Sequence, residues 1–567
     1  MIPEAPQLSE QHLLIFLLQV LLLLGLARGL GVLCSRFGQP RLVGEILVGI
    51  LLGPTLLGRV APALSSFLFP ADLVQLAMLE TVAWFGVLFL LLETGLEVDL
   101  NSAWRLRGPA LRIGIIGVLM PLAIGFSASL ALPVHYLPSE EHRVVFALFL
   151  GTAMAISAMV IIARVLRELD LLKSDLGLVT LCGYAVNDVL AWVLFSLVLA
   201  LGGRTEADLP GLGAVLAVTL AFTAFALTIG PRLTRASIVA IGERLPEQPG
   251  AVLSFVVCLG LLCGAVTGAL GLTALLGFFL AGIMAGEARL SEHVRAVITQ
   301  MVHAIFVPLY FAGLALHVDF LSNFDLRLVG FVTVISISAK FVGAWLGTLG
   351  TGLSRQDRTS IGIAFTPSGV TGIVVASVAL EAGILTVPVF VALVISAVVS
   401  SLLVGPWLSW SIRRRGEVDL MSYVARAAVV EELAAATRYD ALAELCSRAA
   451  RSDRRLDGDA LMRAVREREE LMGTALGEGV AIAHARLPDL HAPLLAFGRS
   501  RDGIDWDAPD GLPVHLVFLL LTPAPDDGLQ LQILAALAQR MGSPNACKRV
   551  IRAEPGVWAA LRESLRA

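Results

Sequence analysis

Runs of roughly 20 predominantly apolar residues, the length of helix that crosses a bilayer, recur through the first 412 residues of this 567-residue chain. About thirteen can be delimited: 12–33, 41–58, 73–96, 109–133, 143–164, 176–202, 211–231, 250–267, 270–287, 297–316, 328–352, 360–382 and 385–412. That much apolar surface has no water-soluble core to enter, so the pattern predicts an all-α polytopic membrane domain. The chain is 57% hydrophobic and 16% charged, whereas ordinary soluble domains carry about 25% charged residues. Charges reach that ordinary density only beyond residue 412. Three parts are therefore expected: a transmembrane domain over 1–412, a basic helical linker over 413–433, and a soluble α/β domain over 434–567. The first apolar run lacks a basic flank and is followed by further spans, so it reads as a retained helix rather than a cleaved signal.

An odd number of spans puts the two ends on opposite sides. Arg and Lys concentrate in alternate connections, such as Arg105, Arg107 and Arg112, Arg164, Arg167 and Lys173, Arg232, Arg235 and Arg244, or Arg413, Arg414 and Arg415. The other side has Arg59, Arg143, Arg204 and Arg327. The positive-inside rule then predicts an outside N-terminus and a cytoplasmic C-terminus, in a bacterial plasma (inner) membrane. A net charge of −4 without basic patches excludes nucleic acid as a partner. Six cysteines without metal-ligand spacing imply neither a disulfide framework nor a metal centre, and no cofactor or enzymatic activity is expected.

The chain also echoes itself. Gly44, Gly49 and Gly53 in the second span are matched by Gly277, Gly282 and Gly286 in the ninth, and the Gly95-Leu96-x-x-Asp99 end of the third span by Gly313 to Asp319 at the end of the tenth. The offset is about 220–233 residues, seven spans, and an odd shift inverts the second copy, as in secondary transporters.

Ionisable residues deep in spans are costly, at least about 2.5–3.5 kcal/mol, and are functional candidates by default. Asp188 in the middle of span 6 and Lys340 in the middle of span 11 are the deepest. A buried carboxylate holds either a proton or a small cation, since each neutralises the same charge. The competing reading is a structural ion pair between Asp188 and Lys340. Spans 5 and 12 hold corresponding places in the two halves and are both interrupted, by Gly151-Thr152 to Ser157 and by Thr366-Pro367-Ser368-Gly369. Paired interruptions predict discontinuous helices whose ends face an ion site. Glu45, Glu80 and Glu93 lie near span ends, where packing or gating roles are expected.

Pro40-Arg41-Leu42-Val43-Gly44-Glu45 running on to Gly53-Pro54, the Gly-Leu-x-x-Asp ends of spans 3 and 10, Asn187-Asp188 and Lys340 together resemble the monovalent cation/proton antiporter superfamily over residues 12–412. The resemblance implies exchange of Na+ (or K+ or Li+) for protons by elevator-type alternating access, in a homodimer bathed in membrane lipid. Asp188 matches the ion- and proton-carrying aspartate, with Asn187, Thr152 and Ser157 beside it, Lys340 compensating charge, and Thr366, Pro367 and Ser368 in the crossed helices. The only metal so expected is the transported monovalent cation at Asp188. Electrogenic members carry Asp-Asp with lysine, electroneutral ones Asn-Asp with arginine, and this chain mixes Asn187 with Lys340. With Asp188 the single acidic carrier, one-for-one exchange is expected. Potassium-type relatives carry Pro-Arg-Gly-Glu where this chain has Thr366-Pro367-Ser368-Gly369, which favours sodium.

In the tail, 514–521 reads as a buried strand and 458–470 and 528–541 as helices. Arg468-Glu469-Glu470-Leu471 followed by Gly477-Glu478-Gly479-Val480-Ala481-Ile482-Ala483-His484 resembles enzyme IIA of the fructose/mannitol phosphotransferase class. His484 matches its phosphoryl-accepting histidine, its Gly-rich approach leaving the face open. Gln530 stands where the family has a second histidine, which points to a sensor domain taking a small-molecule ligand or a phosphocarrier protein. Alternatives of another class are a ligand-gated channel and a sodium-coupled solute carrier, which predict uptake instead of exchange. A membrane-anchored phosphotransferase component does not explain Asp188 and Lys340.

Overall fold

The computed structural model describes residues 9–36, 41–99, 107–169, 171–172, 174–202, 209–244, 250–288, 290–351, 353–413, 419–452, 456–488, 490, 492–523, 529–542, 544–553 and 556–566. Pro40, Arg105, Lys173, Arg204, Arg414 and Arg415 of the sequence argument lie outside these residues.

The first half comprises α1 (Glu10–Arg36), α2 (Arg41–Leu52), α3 (Leu73–Glu97), α4 (Arg107–Leu130), α5 (Arg143–Ala155), α6 (Met159–Glu168) and α7 (Asp175–Gly202). A bent pair, α8 (Leu209–Thr228) and α9 (Gly230–Arg244), leads into α10 (Gly250–Ala269), α11 (Ala274–Glu287), α12 (Glu292–Met301) and α13 (Val307–Leu316). One π-helical turn, Val302–Phe306, joins α12 to α13. The domain closes with α14 (Leu326–Gly347), α15 (Arg355–Ala364), α16 (Gly369–Glu381) and α17 (Val387–Arg413). Side-chain caps start several of them where the sequence supplies Asp, Ser or Thr: Asp72 for α3, Thr273 for α11, Ser291 for α12, Asp325 for α14 and Ser354 for α15. Among the described residues ten helices are long and apolar enough to cross a membrane, and two bent pairs, α8–α9 and α15–α16, qualify jointly. The expected span 270–287 is corrected: α11 has 14 residues, which at 1.5 Å rise is shorter than a bilayer core. Its near-total burial explains why it needs no such length.

The internal echo reappears as a set of two-fold-related contacts. A Cβ on Gly49 would meet the Ala312 carbonyl oxygen at 2.3 Å, and one on Gly282 the Leu92 carbonyl oxygen at 2.1 Å. Gly53 faces the Leu316 carbonyl at 3.0 Å and Gly286 that of Leu96 at 2.8 Å. Gly44 lies against Gly31 N at 2.5 Å and Gly277 against Gly264 N at 2.6 Å. Adding 233 carries each first-half glycine onto its second-half counterpart, and adding 220 carries Leu92 and Leu96 onto Ala312 and Leu316. Thus α2 packs on α13 as α11 packs on α3, and the operation that exchanges the halves has order two. Small residues permit these approaches, as expected where helices have no hydrophobic drive to associate in lipid.

The tail forms a five-stranded sheet of β1 (Val424–Val430), β2 (Ala475–Gly477), β3 (Val480–Leu487), β4 (Leu494–Ile504) and β5 (Val514–Pro523) in the order β1-β4-β5-β3-β2. Helices α18 (Arg438–Ser452) and α19 (Gly458–Leu471) cover one face, and α20 (Leu529–Met541), α21 (Pro544–Ile551) and α22 (Val557–Arg566) the other. Along β3, Ala481, Ala483 and Ala485 join the core under α18 and α19 while Val480 and Ile482 join that under α20. Alternation therefore puts His484 and Arg486 on the α20 side. The helical linker expected over 413–433 is corrected at β1, which runs parallel to β4 within the domain. Its alanine-rich Val-Ala-Arg-Ala-Ala-Val-Val reads as helical in isolation, and pairing to the sheet overrides that preference.

Candidate functional site

Span 5 breaks at Ile156–Ala158 between α5 and α6, and span 12 breaks between Phe365 and Ser368. Freed backbone groups inside a membrane must find partners, and here the two breaks satisfy one another. Ala158 N donates to the Pro367 carbonyl at 2.9 Å and Ser157 Oγ to the Phe365 carbonyl at 3.0 Å. Thr366 Oγ1 donates back to Ile363 O, Thr152 Oγ1 to Leu148 O, and Ser368 N to Ser400 Oγ. Gly369, at φ +54, opens α16 in a conformation that a side chain resists, and a Cβ there would meet the Ala158 side chain at 2.3 Å.

Lys340 reaches this crossing from α14, fully buried. Its Nζ donates to the Ile156 carbonyl at 3.1 Å and to Ser368 Oγ. Ile156 caps the C-terminal, partially negative end of α5, so the ammonium compensates a half-helix dipole. The ion pair between Asp188 and Lys340 weighed from the sequence is absent among the described residues.

Asp188 lies in the middle of α7, buried, with Asn187 before it fully enclosed. Neither amide atom of Asn187 has a protein hydrogen-bond partner. Its Nδ2 and the Phe365 ring both lie 3.7 Å from where a Cβ on Gly117 would sit, so the absence of a side chain on α4 leaves room beside them. Tyr184, one turn before Asp188 and on the same helical face, donates from its hydroxyl to the Ala364 carbonyl at 2.8 Å, and its ring stacks on Phe365 at 4.2 Å. This tyrosine ties the aspartate's helix to the crossing. Sequence reasoning passed over it, although a buried tyrosine needs a partner for its hydroxyl. Glu93 pairs with His303 at 3.1 Å, and Glu45 is buried with Oε2 unpartnered.

The described residues hold no cluster of His, Cys, Asp and Glu able to bind a resident metal. What the geometry offers is one carboxylate and one free amide oxygen beside crossed half-helices, an oxygen set suited to a small monovalent ion or a proton.

His484 and Gln530 lie elsewhere, in the tail. His484 is buried, so the expected open face is corrected: Asp175, the first residue of α7, covers it. Gln530 Oε1 accepts from Arg486 Nε at 2.7 Å.

Residues 19–413 match the family model described as sodium/hydrogen exchanger, transmembrane, and residues 423–556 that of the phosphoenolpyruvate-dependent sugar phosphotransferase system, EIIA 2. The Na(+)/H(+) antiporter NhaS4 of Synechocystis sp. is 28% identical over 404 residues, 70% of this chain and 97% of the relative. Cation/H(+) antiporter 18 of Arabidopsis thaliana is 30% identical over 395 residues, 69% of this chain, and the match spans about half, 48%, of that longer protein. The solved structure of the sodium proton antiporter MjNhaP1 from Methanocaldococcus jannaschii superposes with a TM-score of 0.54 at 17% identity, covering 72% of this chain and all of that one, a likeness of fold.

Proposed function

The chain belongs to the sodium/hydrogen exchanger family, with a C-terminal domain of the EIIA type 2 family, and on that footing we propose that it exchanges sodium for protons across a bacterial inner membrane, one for one, with Asp188 as the alternating carrier. The observation that carries this reading is a buried mid-helix carboxylate beside an amide with no protein partner, next to two half-helices that cross. A proton or a cation each neutralises Asp188, and neither is held well in the presence of the other. Asn187 supplies a neutral oxygen, Tyr184 couples α7 to the crossing, and Lys340 fixes the end of α5. Thr152 and Ser157 spend their hydroxyl protons on backbone carbonyls, which leaves their oxygens as acceptors. The two-fold contact set supports alternating access, since two related halves have two related ways to lean. The elevator motion, a homodimer, an outside N-terminus and a cytoplasmic tail that adjusts exchange belong to the same proposal.

The test is proton movement in proteoliposomes driven by sodium, lithium or potassium. Sodium should dissipate an imposed pH gradient without net current, and Asp188→Asn should abolish the response. Potassium alone acting would make the protein a potassium/proton antiporter. A steady current would refute one-for-one exchange, and cation-independent solute uptake would refute antiport altogether.

A further inference from the structure

Charged groups from both domains converge where the tail meets the membrane domain. On His484, Nδ1 faces the Ile482 carbonyl at 3.0 Å. A carbonyl only accepts, so Nδ1 carries the proton and Nε2 is the nitrogen available to react. That Nε2 lies 3.5 Å from Asp175 Oδ1. Arg468 Nε donates to the same oxygen at 2.7 Å, and Arg486 Nε stands 3.4 Å from Oδ2. Arg486 also reaches Asp357, in the first turn of α15, at 3.6 Å. The joint is dry. His484 and Arg468 are nearly enclosed, and Leu531 of α20 inserts among Leu166, Leu171, Leu176 and Ile361 of the membrane domain.

Two guanidinium groups closing on one point suit an oxyanion of higher charge than a carboxylate. The EIIA type 2 match already makes His484 the expected phosphoryl position; we propose that in this chain the Asp175 carboxylate of α7 occupies the oxyanion pocket beside it, and that a phosphoryl group on His484 Nε2, or free phosphate, evicts Asp175 and uncouples the tail from α7 and α15. Two physical facts make the occupants exclusive. Asp175 Oδ1 stands 3.5 Å from His484 Nε2, in the space that a phosphoryl group bonded to that nitrogen would fill. A phosphoryl group also carries about −1.5 to −2 charge. It would face Asp175 across the present 3.5 Å contact and take Arg468 and Arg486 as its own partners.

Covalent loading takes the phosphoryl group from a phosphohistidine of a carrier protein. The Nε2 lone pair forms the new N–P bond as the donor's N–P bond breaks and its electron pair returns to the donor imidazole. Asp175 covers Nε2 in the docked form, so docking opposes loading as loading opposes docking. The consequence for transport rests on the exchange reading above; the competition for the pocket does not. Docking holds α7, which carries Tyr184 and Asp188, and α15, whose last residue accepts from Tyr184. One guanidinium, that of Arg486, therefore restrains both helices that border the ion site.

The experiment uses the full chain in lipid nanodiscs with Ser174→Cys and Leu534→Cys, whose side chains line one cavity beside His484, and follows the rate of oxidative cross-linking against the two single variants. Efficient cross-linking is expected in phosphate-free buffer. The rate should fall at least tenfold with inorganic phosphate, but not with chloride at equal ionic strength, and equally with His484→Glu or Asp175→Asn in phosphate-free buffer. A fall with His484→Glu alone would assign the site to a covalent phosphoryl group; a fall with phosphate in a His484→Gln background would assign it to free phosphate. Unchanged cross-linking under phosphate and under His484→Glu would overturn the proposal, as would failure of the pair to cross-link at all. Proton movement measured on the same samples separates the two readings. Loss of exchange in every sample, with the cross-linking responses intact, would refute antiport and leave the oxyanion site standing.

Discussion

Replacing Gly282 by alanine tests the two-fold relation at its tightest point. The added Cβ would stand 2.1 Å from the Leu92 carbonyl oxygen and close to Gly95, with backbone atoms on the opposing side. A carbon and an oxygen rarely come closer than about 3.3 Å, so α11 and α3 must separate by roughly 1 Å, and neither backbone can turn aside as a flexible side chain would. Overpacking of this kind costs about 1–3 kcal/mol. The two-fold relation adds a sharper requirement: Gly49→Ala, with its Cβ 2.3 Å from the Ala312 carbonyl, should cost the same within about 0.5 kcal/mol, and the double variant should be additive to that margin, because the two contacts share no residues. Gly330, with nothing within 4 Å of its added Cβ, should tolerate alanine without loss. Equilibrium unfolding in mixed micelles at fixed lipid composition measures all four. A neutral Gly282→Ala, or a cost at Gly282 with none at Gly49, would refute the packing argument and the symmetry drawn from it.

Tyr184→Phe keeps the ring on Phe365 but leaves the Ala364 carbonyl unpaired in a buried site, which should cost about 1–3 kcal/mol and weaken apparent cation affinity in proteoliposomes; unchanged values of both would show that the link is incidental. Lys340→Met removes two hydrogen bonds from a charged donor, each worth about 1.5–3 kcal/mol, and also a buried ammonium costing several kcal/mol to desolvate. Stability should therefore shift by less than about 2 kcal/mol while exchange slows at least tenfold, and normal exchange would refute the assigned role. In the tail, burial pushes the Cys446 thiol up to about 12. A raised thiol pKa favours the neutral form, so at pH 8 only about one thiol in ten thousand is the reactive thiolate. Alkylation in the folded chain should be far slower than in denaturant, and equal rates would refute the burial.

The membrane architecture was legible because its determinants are local or repeated. Apolar runs, charged connections and two glycine series appear in the sequence without knowledge of any contact. The depth of Asp188 and Lys340 was legible for the same reason, but the partner of Lys340 was not. A sequence shows that a buried ammonium needs compensation and cannot show that a severed helix end, the Ile156 carbonyl, supplies it, because that oxygen belongs to no distinctive side chain. Helix α11 was overextended because burial inside protein and burial in lipid select the same residues.

The joint between the domains was hidden for a further reason: each of its acids already has a sufficient local explanation. Asp175 and Asp357 both stand in the first turn of a helix, where the macrodipole alone favours a carboxylate, and neither position asks for a partner. His484 reads from the sequence as the open-faced phosphoryl position of a soluble domain, and Arg486, two along the same strand, belongs to no motif. Only when β3 is laid against the ends of α7 and α15 do the helix-start acids meet the strand's cations. The dipoles that make those positions acidic also present their carboxylates to the cations of the tail.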